Sequence, residues 1–280
     1  MIAVVDAPRP FDDQAVRLRE RAQATRNEAL PRLPAIAVTG GKGGVGKTCI
    51  AVNLALALIA QGLRPLLVDF DLALANADVL LGSTPEHSLL DVVHGRRTLA
   101  DIITPSKHGL DFVPAASGHD ELTRLDDRTF TRLLQDLSTL TTSGPWDVLV
   151  IDTAAGLGRE VLMPLMASRI VLTVVTPEPT SVADAYALIK VLEQQSPGQD
   201  VRLLINQARD GDDASATAAR LRKVAQAYLG RDLGMAGWIP RDHRVVDAVR
   251  GRRPFLHDAT SPAAQALRTL AVHLGRERWR

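Results

Sequence analysis

The stretch that most constrains this chain is Gly40-Gly41-Lys42-Gly43-Gly44-Val45-Gly46-Lys47-Thr48. It follows a short apolar run, Ala35-Ile36-Ala37-Val38-Thr39, that reads as a buried strand. It precedes an Ala/Leu-rich segment, Cys49 to Gln61, that reads as a helix. Strand, glycine-rich loop, Lys-Thr pair and helix, in that order, are the setting a phosphate-binding loop needs. Glycines let successive backbone N–H groups turn inward around a phosphate. The helix adds its unpaired N-terminal donors and its dipole. Lys47 is placed to neutralise β/γ oxygens, and the Thr48 hydroxyl to ligate Mg²⁺. A glycine turn that binds nothing is the alternative, and it has no need of the Lys-Thr pair. The stretch Gly41, Lys42, Gly43, Gly44, Val45, Gly46, Lys47, Thr48 and Cys49 is therefore the expected nucleotide-binding segment.

Two more runs end in acids. Leu66-Leu67-Val68-Asp69-Phe70-Asp71 reads as a second strand, and Val148-Leu149-Val150-Ile151-Asp152 is the strongest buried-strand signal in the chain. Parallel strands deliver their C-terminal residues to the nucleotide crevice. Asp69 and Asp71, at i and i+2, share one side of an extended chain. Asp152 stands where a Walker B acid belongs, to hold Mg²⁺ through water. A cap on the following segment is the alternative for each of these acids. Strand signals recur at Leu110 to Pro114, Ile170 to Val175 and Arg202 to Ile205, the last ending at Asn206. Helical spacing covers Arg128 to Thr142 and Ser181 to Lys190. The alternation predicts an α/β fold: one doubly wound, mostly parallel sheet with helices on both faces.

Composition narrows the class. The 280 residues allow one large α/β domain or two small ones, and the net charge of +1 gives no bias toward nucleic acid. One cysteine, Cys49, excludes a disulfide framework and points to a reducing compartment. No apolar run approaches the ~18 residues of a membrane span. The N-terminus, with Asp6, Arg9, Asp12 and Asp13, does not read as a signal peptide. A cytoplasmic protein is expected. Three segments are expected: a leader over 1–34, the ATPase domain over 35–260 and a C-terminal amphipathic helix over 261–280. Ala263, Leu267, Leu270, Ala271 and Leu274 share one face of that last helix. It reads either as packed on the sheet or as a peripheral anchor at the inner face of the cell membrane. Arg250, Arg252 and Arg253 read as a solvated loop. In the leader, Ala15, Leu18 and Ala22 form a stripe too thin to hold a helix without a partner surface.

Lys42 adds a family signal. The run Lys-Gly-Gly-Val-Gly-Lys-Thr over 42–48 resembles the deviant Walker A loop of the MinD/ParA class of ATPases. That resemblance implies ATP and Mg²⁺ as cofactors and an ATP-dependent homodimer. In it, Lys42 reaches the phosphates bound by the second copy. It also implies Lys42, Lys47 and Asp71 as catalytic residues, with Asp71 orienting the attacking water. Thr48, Asp69 and Asp152 become the metal set, Asp69 coupling it to a switch. Asn206 would read the base, and Ile239-Pro240-Arg241-Asp242 would close over it as a loop. Residues 72–82, 88–95 and 181–190 resemble the FlhG branch. The segment Asp13-Gln14-Ala15-Val16-Arg17-Leu18-Arg19 resembles that branch's N-terminal activator motif, with Asp13, Gln14, Ala15, Leu18 and Arg19 as its partner-binding residues. The motif stimulates FlhF, a GTPase of the signal-recognition-particle type. The branch implies a slow ATPase that limits flagellar number through FlhF, flagellar switch components and, in some lineages, the transcriptional activator FleQ. Only the first has a matching motif in this chain. A MinD-like division-site regulator and a nucleotide-gated anti-activator with little turnover are the competing readings. Metal-cluster members of the class need two cysteines per chain, and this chain has one.

Overall fold

The computed structural model describes residues 30–72, 75–116 and 125–279. The first half runs β1 (Leu33–Thr39), α1 (Lys47–Ile59), β2 (Pro65–Phe70), α2 (Ala77–Leu81), α3 (Leu89–Val93), α4 (Leu99–Ile102), β3 (Thr104–Pro105), β4 (Asp111–Val113) and α5 (Asp127–Ser143). The second half runs β5 (Val148–Thr153), α6 (Arg159–Ala167), β6 (Ser168–Val175), α7 (Pro179–Gln195), β7 (Val201–Ala208), α8 (Gly211–Leu229), β8 (Gly234–Pro240), α9 (His243–Arg250), a 3₁₀ turn (Phe255–His257) and α10 (Pro262–Gly275). The strands form one sheet in the order β3-β4-β2-β5-β1-β6-β7-β8. All neighbours are parallel except the β3–β4 pair. The chain leaves β1 for β2 by crossing over the place β5 later fills, then returns to the other side through β6. β1 is thus the switch point, where an α/β sheet opens its crevice.

Side-chain alternation divides the core between two faces. Ala35, Ala37, Leu149 and Ile151 belong to the core beneath α5, α6, α7 and α8. Ile36, Val38, Val148 and Val150 belong to the core beneath α1 and α10. Carried one step further, the same parity sends Asp69, Asp152 and Asn206 to the α1 side. Helix α1 buries Ile50 through Leu58 without interruption. That is why it is apolar nearly all round: the sheet lies under it, and α10 and α2 pack along its sides.

The C-terminal helix has its stripe turned inward. Ala263, Ala264, Leu267, Leu270, Ala271 and Leu274 are all buried. Beyond it Trp279 is buried, its indole N–H bonded to the Leu274 carbonyl at 3.1 Å. The Arg169 guanidinium covers the ring, 5.6 Å from its centroid. Among the described residues, no helix is long and apolar enough to cross a membrane. Two other expectations change. Ile239 and Pro240 end the edge strand β8 rather than lying in a loop, and Arg250 closes the last turn of α9. β8 is hard to read because Gly234, Ala236 and Gly237 supply little strand propensity. If α10 is a core element, Leu267→Ala costs about 2–5 kcal/mol of stability. Urea unfolding checks this, and a change below 1 kcal/mol would mean a helix free of the core.

Candidate nucleotide site

The loop 40–46 is held from both sides. At Gly41 a Cβ would lie 2.2 Å from the Asp184 backbone oxygen, so the loop packs directly on α7. Gly46 has φ +96°, and a Cβ there would lie 2.7 Å from Asn206 Nδ2. Asn206 is buried and donates from Nδ2 to the Val45 carbonyl at 2.7 Å, while its Oδ1 accepts the Gln207 N–H at 2.9 Å. One amide proton and one lone pair remain for a ligand. Asn206 is therefore a strut of the loop as well as the expected base reader. Lys42, 39% exposed, reaches Glu178 Oε2 at 3.0 Å and Thr180 Oγ1 at 3.1 Å at the start of α7.

Beneath the loop lies an electrostatic conflict. Asp69 and Asp152 are register partners on β2 and β5, and both are buried. Asp69 Oδ1 accepts the Asp71 N–H at 3.0 Å, and its Oδ2 accepts the Asn76 and Ala77 N–H groups, each at 3.2 Å. It thus anchors both ends of the loop that carries Asp71. Burial pushes the Asp69 carboxyl up to about 7, against the pull of those three amides. Neither oxygen of Asp152 makes a hydrogen bond. Burial first, and the Asp69 charge second, push Asp152 well above the usual carboxylate range; the nearby Thr48 hydroxyl and Lys47 oppose this. Lys47 is itself buried and pushed down by that burial, with Asp152 and Asp71 pulling it back. Two bare oxygens of a buried acid, a second acid beside it and a hydroxyl make a hard oxygen set suited to Mg²⁺. Burial pushes the Cys49 thiol up to about 12, so it serves as an apolar wall, not a nucleophile.

The space in front of these groups has two connected parts. A cleft of roughly 550 Å³ is lined by Gly43, Gly44, Lys47, Thr48, Asp71 and Ala155, among others. A cavity of roughly 880 Å³ adjoins it at Gly46, Cys49 and Val249, and is walled by Asn206, Ile239, Pro240, Arg241 and Phe255. The first part carries the Lys47, Thr48 and Asp71 side chains and suits phosphates; the second is the more apolar and suits a base and sugar.

Comparison with known proteins places this geometry. A profile described as an AAA domain matches residues 34–202. The antiactivator FleN of Pseudomonas aeruginosa is 46% identical over 78% of this chain and 77% of its own length. The chain belongs to the FleN/FlhG branch of the MinD/ParA ATPases. The flagellum site-determining protein YlxH of Helicobacter pylori is 35% identical over 78% of this chain and 73% of its own. The septum site-determining protein MinD of Pyrococcus horikoshii, solved with Mg-ADP, superposes with a TM-score of 0.70 at 26% identity, covering 88% of this chain and 97% of that one.

Within this FleN/FlhG fold, the structure brings Gly41 to Cys49, Asp69, Asp71, Asp152, Asn206 and the 239–242 segment to one edge of the sheet. Asp242 lines the larger cavity with Ile239, Pro240 and Arg241. Its side chain is 3% exposed, accepting from the Arg244 N–H at 2.9 Å and the Ser261 hydroxyl at 2.6 Å. It also caps α9 and steadies the start of α10. Asp13, Gln14, Ala15, Leu18 and Arg19 lie outside the described residues. Sequence alone gave no role to Glu178, Thr180 and Val249, which touch or line the site; the Glu-Pro-Thr step at the start of α7 was the signal for the first two.

A pH dependence follows from the acids. Asp69 keeps its proton to about pH 7 when folded, against 3.8 ordinarily. The folded state then binds more protons than the unfolded one between those values, so stability of the nucleotide-free protein falls as pH rises through that window. Asp152→Asn removes the second buried charge. Melting at pH 8 should rise by a few degrees without nucleotide, while the extra gain from Mg²⁺ with ATP should vanish. A lower melting point at pH 8 would mean that the bare carboxylate stabilises the free cleft.

Proposed function

We propose that this chain is a slow, ATP-driven switch that sets flagellar number in the cytoplasm. The 46% identity to FleN carries the reading. The match to MinD solved with Mg-ADP supports nucleotide chemistry at the same edge. Thr48, Asp152 and Asp69 would hold Mg²⁺, which supplies charge neutralisation at the β/γ oxygens. The 40–48 amides and Lys47 bind and orient the triphosphate. Asp71, half-buried and lining the same cleft, positions the attacking water. Lys42 sits at the surface on Glu178 and Thr180 and exchanges them for phosphate bound by a second copy. The exposed apolar residues Val79, Leu157 and Val249 give that second copy a surface to cover.

Hydrolysis resets the switch; output goes through partners. The leader motif Asp13–Arg19 supports FlhF as the first of them. FleN's description as an antiactivator supports a second route through a transcriptional activator of the FleQ kind. Flagellar switch components remain third, with no motif of their own. The packed α10 supports a core helix over a lipid anchor. A MinD-like division role has the weaker support, at 31% identity to MinD of Bacillus subtilis against 46% to FleN.

Asp71→Ala should bind ATP normally, lose turnover by at least 100-fold and stay dimeric. Size-exclusion chromatography with ATP would show it, and a strictly monomeric variant would overturn this part. The branch is tested by FlhF GTP hydrolysis with a synthetic peptide of residues 1–34. Stimulation that disappears when Gln14 and Leu18 are changed supports FlhF as partner. Its absence with the intact peptide shifts the output to the antiactivator route.

A further inference from the structure

One polar residue stands inside the otherwise apolar run Ile50 to Leu58 of α1: Asn53, 1% exposed. Asparagine is a poor choice for a helix interior, and a buried amide is costly unless both its ends are bonded. Here both are. Nδ2 donates to the Cys49 carbonyl, one turn back, at 2.7 Å. Oδ1 accepts the Leu256 N–H at 2.9 Å, across 203 positions of sequence. The next peptide is held too, the Leu256 carbonyl accepting from Arg268 Nη2. Next to Leu256 is Phe255, which is buried and lines the larger cavity together with Cys49 and Ile50.

We propose that Asn53 is a positioning residue for the base-side wall of the nucleotide cavity: through the Leu256 peptide it fixes Phe255 relative to the phosphate loop. The arrangement explains why an amide is kept where leucine or alanine would suit the helix better. Cys49 lies in the first turn of α1, directly after Thr48, so its carbonyl moves with the phosphate donors. Phe255 belongs to the segment that joins α9 to α10. Apolar packing alone would let that segment slide along α1, because dispersion contacts have little direction. The Asn53 bond to the Phe255–Leu256 peptide sets its position along α1, and the Arg268 bond to the following carbonyl holds the other side of Leu256 to α10. Asn53 touches no ligand itself. It acts by setting the distance between the part of the site that takes phosphates and the part that takes the base.

This deepens the nucleotide reading above and rests on it. The test compares two probes, ATP and inorganic tripolyphosphate, by equilibrium binding to the full chain. Asn53→Ser keeps a hydroxyl able to bond the carbonyl one turn back but too short to reach Leu256. It should weaken ATP about tenfold and leave tripolyphosphate affinity unchanged. Phe255→Leu should show the same split, and the double variant should be no weaker than the worse single one. Equal loss of ATP and tripolyphosphate would reduce Asn53 to a general support of α1 and overturn the proposal. So would unchanged ATP affinity, or additive losses in the double variant. Should Asn53→Ser fail to fold, Phe255→Leu carries the comparison: no ATP-specific loss there overturns it equally. A wild-type chain that binds neither probe would sink the nucleotide reading itself, a different failure from an unaffected variant.

Discussion

Two carboxylates share one buried corner of this molecule, and the rest of the site is arranged around that repulsion. Asp69 and Asp152 face each other because β2 and β5 pair in register over the whole of Pro65–Phe70 and Val148–Thr153. Neither can turn away. A slip of one residue would send both acids into the apolar face under α5 and α6, so the register that builds the core also enforces the conflict. Three backbone amides relieve Asp69 in part, and Lys47 relieves Asp152 in part. What is left is a net demand for positive charge at the foot of the phosphate loop. A divalent cation brought in with a nucleotide meets it, so folding leaves a deficit that binding removes. Ligand binding and stability are therefore linked at this point.

The phosphate loop is set in advance of any ligand. Gly41 leans on the α7 backbone, Gly46 meets the Asn206 amide, and Lys42 is tied to Glu178 and Thr180. Two of these contacts come from α7 and its first turn, which follow β6, and the third comes from β7, so the loop's shape depends on β1, β6 and β7 together. Ordering a loop of glycines is entropically costly. Meeting that cost during folding means it is not charged against nucleotide affinity later.

Much of this was legible in the sequence, and the limits follow from physics. The acids at 69, 71 and 152 end strongly apolar runs, and strand parity does the rest. The five longer parallel strands other than β8 are rich in Val, Ile and Leu on both faces, as buried parallel strands are. β8 was missed because it is an edge strand of small residues and reads as a loop. α8 was missed because its buried stripe, Ala214, Thr217, Ala218, Leu221 and Ala225, contains one bulky side chain. For Asp242, sequence shows that it flanks the site but not which way its carboxylate turns; it accepts from Ser261, 19 positions away. Asn53 was invisible for the same reason. Its partner is 203 positions distant, and no local pattern encodes such a bond.

The position of the leader constrains how nucleotide state can reach a partner. Residues 1–34 join the body at the start of β1, and the phosphate loop leaves from its end. β1 is 7 residues long, so the two points are roughly 23 Å apart along a central strand. Its neighbours β5 and β6 hold it on both sides. A strand so placed is among the last parts of a fold to move. Among the described residues, β1 therefore offers no flexible path from the phosphate loop to the point where the leader joins. On the proposed reading, assembly supplies another route: ATP pairs two chains and so presents two leaders at once. Such a device raises local concentration without changing the leader's own contacts. It requires only that the Lys42 surface distinguish the ATP state, since the face that senses the γ-phosphate is also the face that meets the second copy.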